Sequence, residues 1–200
     1  MARRAFIIAV IADICRSERI IHVDTDSQLI ARARSDATAF VQLYRRHYEA
    51  VFRYCVHRLF ERHAAEDVTS EVFLKVVESF HSFKGNEQQF RNWLYRIATN
   101  AVNEHLRKTA RQSVLLKAAC EQAGNEVANC RESCEKVAVL REAMLSLKPR
   151  YQAIITLRFF ENLKLTEIAE VLGSSPGTVR SQLARALAKL RKKLTTDFID

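Results

Sequence analysis

Residues that stop helices are scarce in this chain and unevenly placed. The 200 residues hold four glycines and two prolines, and Gly173, Pro176 and Gly177 fall within five positions of one another. A sequence so poor in breakers, and rich in Leu, Ala, Arg and Glu, is constrained to helices rather than sheets. On both sides of the cluster, in VLGSSPGTVRSQLAR from Val171 to Arg185, the pattern reads as helix. Gly173 can end the first helix in the left-handed conformation. Pro176 cannot continue a helix but fits the first position of the next, and Ser174 and Ser175 offer oxygens to the orphan amides there. The expectation is a helix-turn-helix.

The second helix of that pair separates its chemistry by face. Val179, Leu183, Ala186, Leu187, Leu190 and Leu194 share an arc roughly 100° wide, suited to packing on Ile168, Ala169 and Leu172. The rest of the circle carries Arg180, Ser181, Gln182, Arg185, Lys189, Arg191, Lys192 and Lys193. From Thr178 to Leu194 there are six basic residues and no acidic one. Arg can bind guanine bidentately in the major groove while Lys neutralises phosphates, and Gly177 and Thr178 suit close backbone approach to a phosphate. A basic face can merely keep a helix soluble. Here the breaker cluster, the cap and the absence of acids coincide, which favours DNA.

The net charge of +9 agrees with a polyanionic partner without choosing one. Arg3 and Arg4 precede the apolar run AFIIAVIA, but eight residues fall far short of the roughly 20 a membrane span needs, and no clear cleavage site follows. Residues 1–25 therefore read as an N-terminal extension, with no membrane insertion. Five scattered cysteines without a C-x-x-C point to a reducing cytosol rather than a disulfide framework. Cys120, Cys130 and Cys134 lack the spacing of a common zinc module, and all six histidines lie at or before His105. No metal or cofactor is expected. Nor does any P-loop, H-E-x-x-H or G-x-S-x-G suggest an enzyme.

Helical periodicity divides the rest. Asp26 or Ser27 can cap a helix through LIARARS, and longer amphipathic helices follow over 37–60, 64–79 and 88–108. The pattern weakens from Thr109 to Ser133, which reads as a tether, and returns at Val137–Leu147 and Tyr151–Phe160, with Thr166 placed to cap Glu167–Leu172. The fold class is all-α: two small helical domains, 26–108 and 137–200, joined by a flexible linker over 109–136.

In the first domain, Glu66, Asp67 and Glu71 give one helix a negative face, suited to a basic protein surface, although helix-start acids can be merely structural. Then comes SFHSFKGNEQQFRNWLYRIATNAVNEHLRK, where aromatic and basic residues interleave as single-stranded DNA requires, rings for bases and cations for backbone. The loop Phe80 to Asn86, broken at Gly85, is the expected exposed contact for an unpaired base.

AEDVTSEVFLKVVESF and FRNWLYRIATNAVNEHLRK in the first half, with LKPRYQAIITLRFFENLKLTEIAEVLG and GTVRSQLARALAKLRKKL in the second, resemble bacterial RNA polymerase sigma factors of the extracytoplasmic-function (ECF) group of the sigma-70 family. The resemblance covers about 26–108 and 137–194; Thr99 and Gln182 stand where Arg is common. It implies a transcription initiation factor that binds core polymerase through the β′ clamp and the β subunit, with Asp67 and Glu71 on the clamp-binding segment. It implies −10 recognition and melting through Phe80, Ser82, Phe83, Lys84, Asn86, Arg96 and Arg107. The −35 element would meet Gly177, Thr178, Arg180, Ser181 and Arg185, with Lys189 on the same face. Promoter DNA, double- and single-stranded, would be the ligand, and the group adds an anti-sigma protein to the expected partners. The competing reading is a conventional helix-turn-helix repressor or activator, which leaves the acidic helix and the aromatic-basic loop unexplained.

Overall fold

Side-chain caps decide where the first helices begin. A computed structural model of the chain describes residues 24–120 and 135–197, with side-chain surroundings over 24–113 and 139–195, and every regular element in them is helical. Helix α1 spans Asp26–Arg32 and is capped by Thr25, whose hydroxyl accepts from the Gln28 amide at 3.3 Å while the Gln28 side chain accepts from the Thr25 amide. The expected caps Asp26 and Ser27 are thus displaced by one residue. Asp26 is buried, paired with Arg46 and with His47. Helix α2 (Ala37–Leu59) starts on Asp36, which accepts from the Thr38 amide, and ends at Phe60 with φ 55°. The Glu61 carboxylate accepts from the amides of His63 and Ala64, so α3 (Arg62–Ser79) starts two residues before the expected Ala64. A 3₁₀ turn, Phe80–Ser82, leads to α4, Glu87–Cys120.

The stripes that periodicity picks out in these helices meet in one core. Phe40, Leu43, Val51 and Cys55 of α2, Val68, Val72, Phe73 and Val76 of α3, and Phe90, Leu94, Ala98 and Ala101 of α4 are all buried. Burial pushes the Cys55 thiol up to about 11, so it packs as an apolar residue and not as a nucleophile.

The C-terminal half comprises α5 (Glu135–Leu145), α6 (Pro149–Ile155) continued by a π-helical turn (Thr156–Phe160), α7 (Leu165–Leu172) and α8 (Pro176–Asp197). Asn162, at φ 55°, makes the expected turn after Glu161. Thr166 is not a cap: α7 already includes Leu165, and the Glu167 carboxylate accepts from the Lys164 amide at 2.6 Å.

The two helical domains are present as expected, and two features tie them more closely than the sequence indicates. Helix α4 runs to Cys120, well into the stretch read as tether. The halves also share a core: Ile154, Leu157, Leu163, Ile168, Ala169, Val171 and Val179 join the same buried cluster as the residues of α2, α3 and α4. Helix α7 packs along α4, and the π turn packs on α2. A smaller cluster around Met144, Leu147, Ile155 and Ala186 receives Phe60 from the N-terminal half. Periodicity shows which face of a helix is apolar, not which half it covers. Residues 1–23 and 121–134, and with them the readings made of the N-terminal extension, of Cys130 and Cys134 and of most of the tether, lie outside the described residues, as does the side chain of Cys120. Among the described residues, no helix is long and apolar enough to cross a membrane.

Candidate nucleic-acid and polymerase interfaces

The turn between α7 and α8 is built by the residues that break the helix. Gly173 adopts φ 59°, and the Ser174 amide donates back to the Ala169 carbonyl at 2.8 Å, closing a Schellman-type end. Pro176 is the first residue of α8, and Ser175 Oγ accepts from the Thr178 amide at 3.1 Å. Ser174 does not cap α8. Its hydroxyl instead accepts from Arg150, whose Nε also donates to Gln182 Oε1 at 2.9 Å. An Arg at position 182 would replace this acceptor by a second guanidinium facing Arg150.

Val179 and Ala186 seat α8 on the core, with Leu183, Leu187 and Leu190 half-buried. Gly177, Thr178, Arg180, Ser181, Arg185 and Lys189 are all exposed. Lys189 Nζ lies 5.5 Å from the centre of the Tyr151 ring.

The loop after α3 needs a correction. Phe80 and Phe83, expected as exposed platforms, are 2% and 8% exposed. Phe80 packs edge-on against Phe40 at 5.2 Å, and Phe83 lies 5.0 Å from Trp93 and 5.6 Å from Phe90. Both rings are core. What the loop exposes is His81, Ser82, Lys84, Gly85 and Asn86, and α4 adds Arg96 and Arg107. A Cβ on Gly85 would stand 2.8 Å from the Phe83 ring, so the tucked ring requires glycine. Asn86 also caps α4, exchanging hydrogen bonds with Gln89 at 2.9 and 3.0 Å.

On α3, Asp67 is exposed and the half-buried Glu71 pairs with Lys75 at 2.7 Å. Leu74, 50% exposed, shares their face at helical spacing and is absent from the residues expected there. Its signal is a leucine out of phase with Val68, Val72 and Val76. Thr99 is buried and bonded to the Tyr54 hydroxyl at 2.8 Å.

The seam between the halves gathers polar residues that sequence reasoning assigns no role. Arg58, fully buried, donates to Tyr54 Oη (2.9 Å), Asn103 Oδ1 (3.0 Å) and the Pro149 carbonyl (3.3 Å). Arg91 donates to the Glu161 carbonyl at 2.7 Å, Asn92 Nδ2 to Glu170 Oε2 at 2.6 Å, and the Tyr95 hydroxyl to Glu161 Oε2 at 2.5 Å. Burial raises the Glu161 carboxyl above the usual carboxylate range, against the pull of the Tyr95 bond and of Arg53 and Arg91. Burial and the facing carboxylate likewise hold the Tyr95 phenol far above its ordinary value, so it stays a donor.

A helix-turn-helix whose second helix carries six basic and no acidic residues from Thr178 to Leu194, packed against a helical body, has the form of a DNA-binding protein. Similarity to known proteins narrows the class. The models for sigma-70 region 2 and sigma-70 region 4 match residues 43–112 and 138–190. The ECF RNA polymerase sigma factor BldN of Streptomyces coelicolor is 33% identical over 184 residues, 87% of this chain and 69% of BldN. The solved structure of CnrH in complex with the cytosolic domain of CnrY has the same fold, with TM-score 0.64 and 24% identity over 87% of this chain and 99% of that one. RpoE of Bartonella quintana, co-crystallised with the anti-sigma factor NepR, superposes with TM-score 0.60 and 20% identity over 79% of this chain and 98% of its own. The chain belongs to the sigma-70 family of RNA polymerase sigma factors, in its ECF group.

Proposed function

We propose that this chain joins core RNA polymerase and directs it to promoters by dividing recognition between its halves. One observation carries this reading: α8 turns Arg180, Ser181, Arg185 and Lys189 outward together, behind a turn built to hold it, in the half that matches region 4. That helix would read the −35 element, with Gly177 and Thr178 at its start against the backbone. In the half that matches region 2, Ser82, Lys84, Asn86, Arg96 and Arg107 would meet the −10 element. Phe80 and Phe83 would support that loop from beneath. Asp67 and Glu71, with Leu74 between acidic neighbours, would meet the β′ clamp, an apolar anchor rimmed by charge. Bond making would be left to the polymerase.

An anti-sigma protein is a further proposed partner, supported by the shared fold of RpoE, which was crystallised with one. The repressor reading gains no observation of its own.

Adding the purified protein to sigma-free core polymerase tests the proposal. Promoter-specific transcripts are expected, and a silent mixture on every genomic promoter, with duplex binding intact, would overturn it. Within that assay, Arg180→Ala or Arg185→Ala should cost about 1–3 kcal/mol of upstream-element discrimination if the side chain reads a base, with capture by core unchanged. Asp67→Lys with Glu71→Lys should weaken core capture and leave duplex binding alone.

A further inference from the structure

The seam has a one-way polarity. The hydrogen bonds from Arg58, Arg91, Asn92 and Tyr95 that cross it all run from a donor on the N-terminal half to an acceptor on the C-terminal half. Two guanidiniums, an amide and a phenol face two backbone carbonyls and two carboxylates. The Asn92 amide is held in that sense by its neighbour, since Gln88 Nε2 donates to Asn92 Oδ1 at 3.2 Å and leaves Nδ2 pointing outward. Arg53, exposed on α2, acts on Glu161 from the same side.

The match is imperfect in an informative way. Among the described residues, the fully buried Arg58 makes no ion pair with a carboxylate, and neither its Nε nor Glu161 Oε1 has a hydrogen-bond partner. A buried guanidinium that meets only neutral acceptors is desolvated without a counter-charge. This surface is therefore under-satisfied by its present cover. A ligand that offers acceptors only, carries negative charge and repeats along a line would satisfy it better, and the phosphodiester backbone is such a ligand.

We propose that the face of α2 and α4 formed by Arg53, Arg58, Arg91, Asn92 and Tyr95 is a nucleic-acid backbone surface, and that Glu161 and Glu170 occupy it as stand-ins for phosphates while the halves are closed. The inference rests on the promoter-binding reading and extends it to residues outside the −10 loop. It also makes closure and DNA binding by this face mutually exclusive. The recognition face of α8 is exposed in the same closed state, so the mask is one-sided.

The test uses the full chain and no polymerase. Glu161→Arg with Glu170→Arg replaces both acceptors by cations and should open the seam, seen as a larger radius of gyration in solution scattering. In that background, Arg58→Ala or Arg91→Ala should weaken binding of a fluorescein-labelled, mixed-sequence single-stranded oligonucleotide. Each should flatten the plot of log affinity against log salt by about 0.7, the slope of one phosphate contact to a single strand. Unchanged slopes overturn the proposal. Should the opened variant stay closed or fail to fold, phenylglyoxal labelling of the unaltered protein decides. The oligonucleotide should slow modification of Arg58 and Arg91, and an unchanged or faster rate overturns the assignment. A missing promoter-specific transcript would fault the sigma reading separately, because neither binding measurement contains polymerase.

Discussion

Glu161 brings its carboxyl into a seam that solvates it poorly, and the consequence is a dependence on pH. Because its value is raised on closing, the closed form binds more protons than the open one, so closure is most favourable below the ordinary carboxylate value near 4.5 and weakens as pH rises through the raised value. Glu161→Gln keeps an oxygen to accept from Tyr95 and removes the charge. It should raise the melting temperature at neutral pH and erase the difference from the unaltered protein near pH 4, read from melts across that range; a lower melting temperature at pH 7 would mean that Arg53 and Arg91 outweigh burial. Thr99 shows the opposite case, a small hydroxyl fully satisfied by Tyr54. Thr99→Arg would restore the residue common in the family and should still destabilise by about 3 kcal/mol in urea titration, since a buried unpaired cation and an overfilled core act together.

At the scale of elements, the features legible in the sequence are those that local chemistry decides. Gly173, Pro176 and Ser175 act as expected because each solves a problem set by its immediate neighbours. Gly173→Ala would place a side chain at φ 59°, with its Cβ 3.3 Å from Arg96 Nη2, and should cost about 1–2 kcal/mol. Ser175→Ala should cost about 1 kcal/mol through the lost cap. Both losses should appear in denaturant unfolding and carry over to binding of −35 duplex; a stable variant that binds as before would detach the turn from recognition. The errors lie where several residues could do one job. By sequence alone, Asp26 and Thr166 are as good a cap as Thr25 and the Glu167–Lys164 bond, and the choice is made by which apolar residues have to face the core. Phe80 and Phe83 depart from expectation for a related reason: a loop sequence shows its glycine, not the cavity into which its rings turn. The seam residues leave no local signal, because the partners of Arg91, Asn92 and Tyr95 stand about 70 positions away.

For the molecule as a whole, the closed packing and the proposed function demand two shapes. Elements centred near −10 and −35 are ~25 base pairs apart, about 85 Å at ~3.4 Å per pair. A compact chain of this length has a radius of gyration of about 17 Å and hence a diameter of about 40 Å. No closed form can touch both elements at once. The residues from 121 to 134 can span at most about 50 Å when extended, and with the halves themselves that reach is sufficient. Opening therefore has to accompany promoter engagement, and the apolar part of the seam, Leu163 and Ile168 against α2 and α4, must be exchanged for other contacts. The four hydrogen bonds with Glu161, Glu170 and the two carbonyls are the directional part of that exchange. Fluorophores placed at Glu49 on α2 and Glu142 on α5, both exposed, report it directly. Energy transfer should be high in the free protein and fall when core polymerase and a promoter carrying both elements are added, while a duplex carrying the −35 element alone should bind with little loss of transfer, since α8 is exposed without opening. Transfer that stays high in the complete promoter complex would show that both elements are reached without separation, and the distance argument for two shapes would fail.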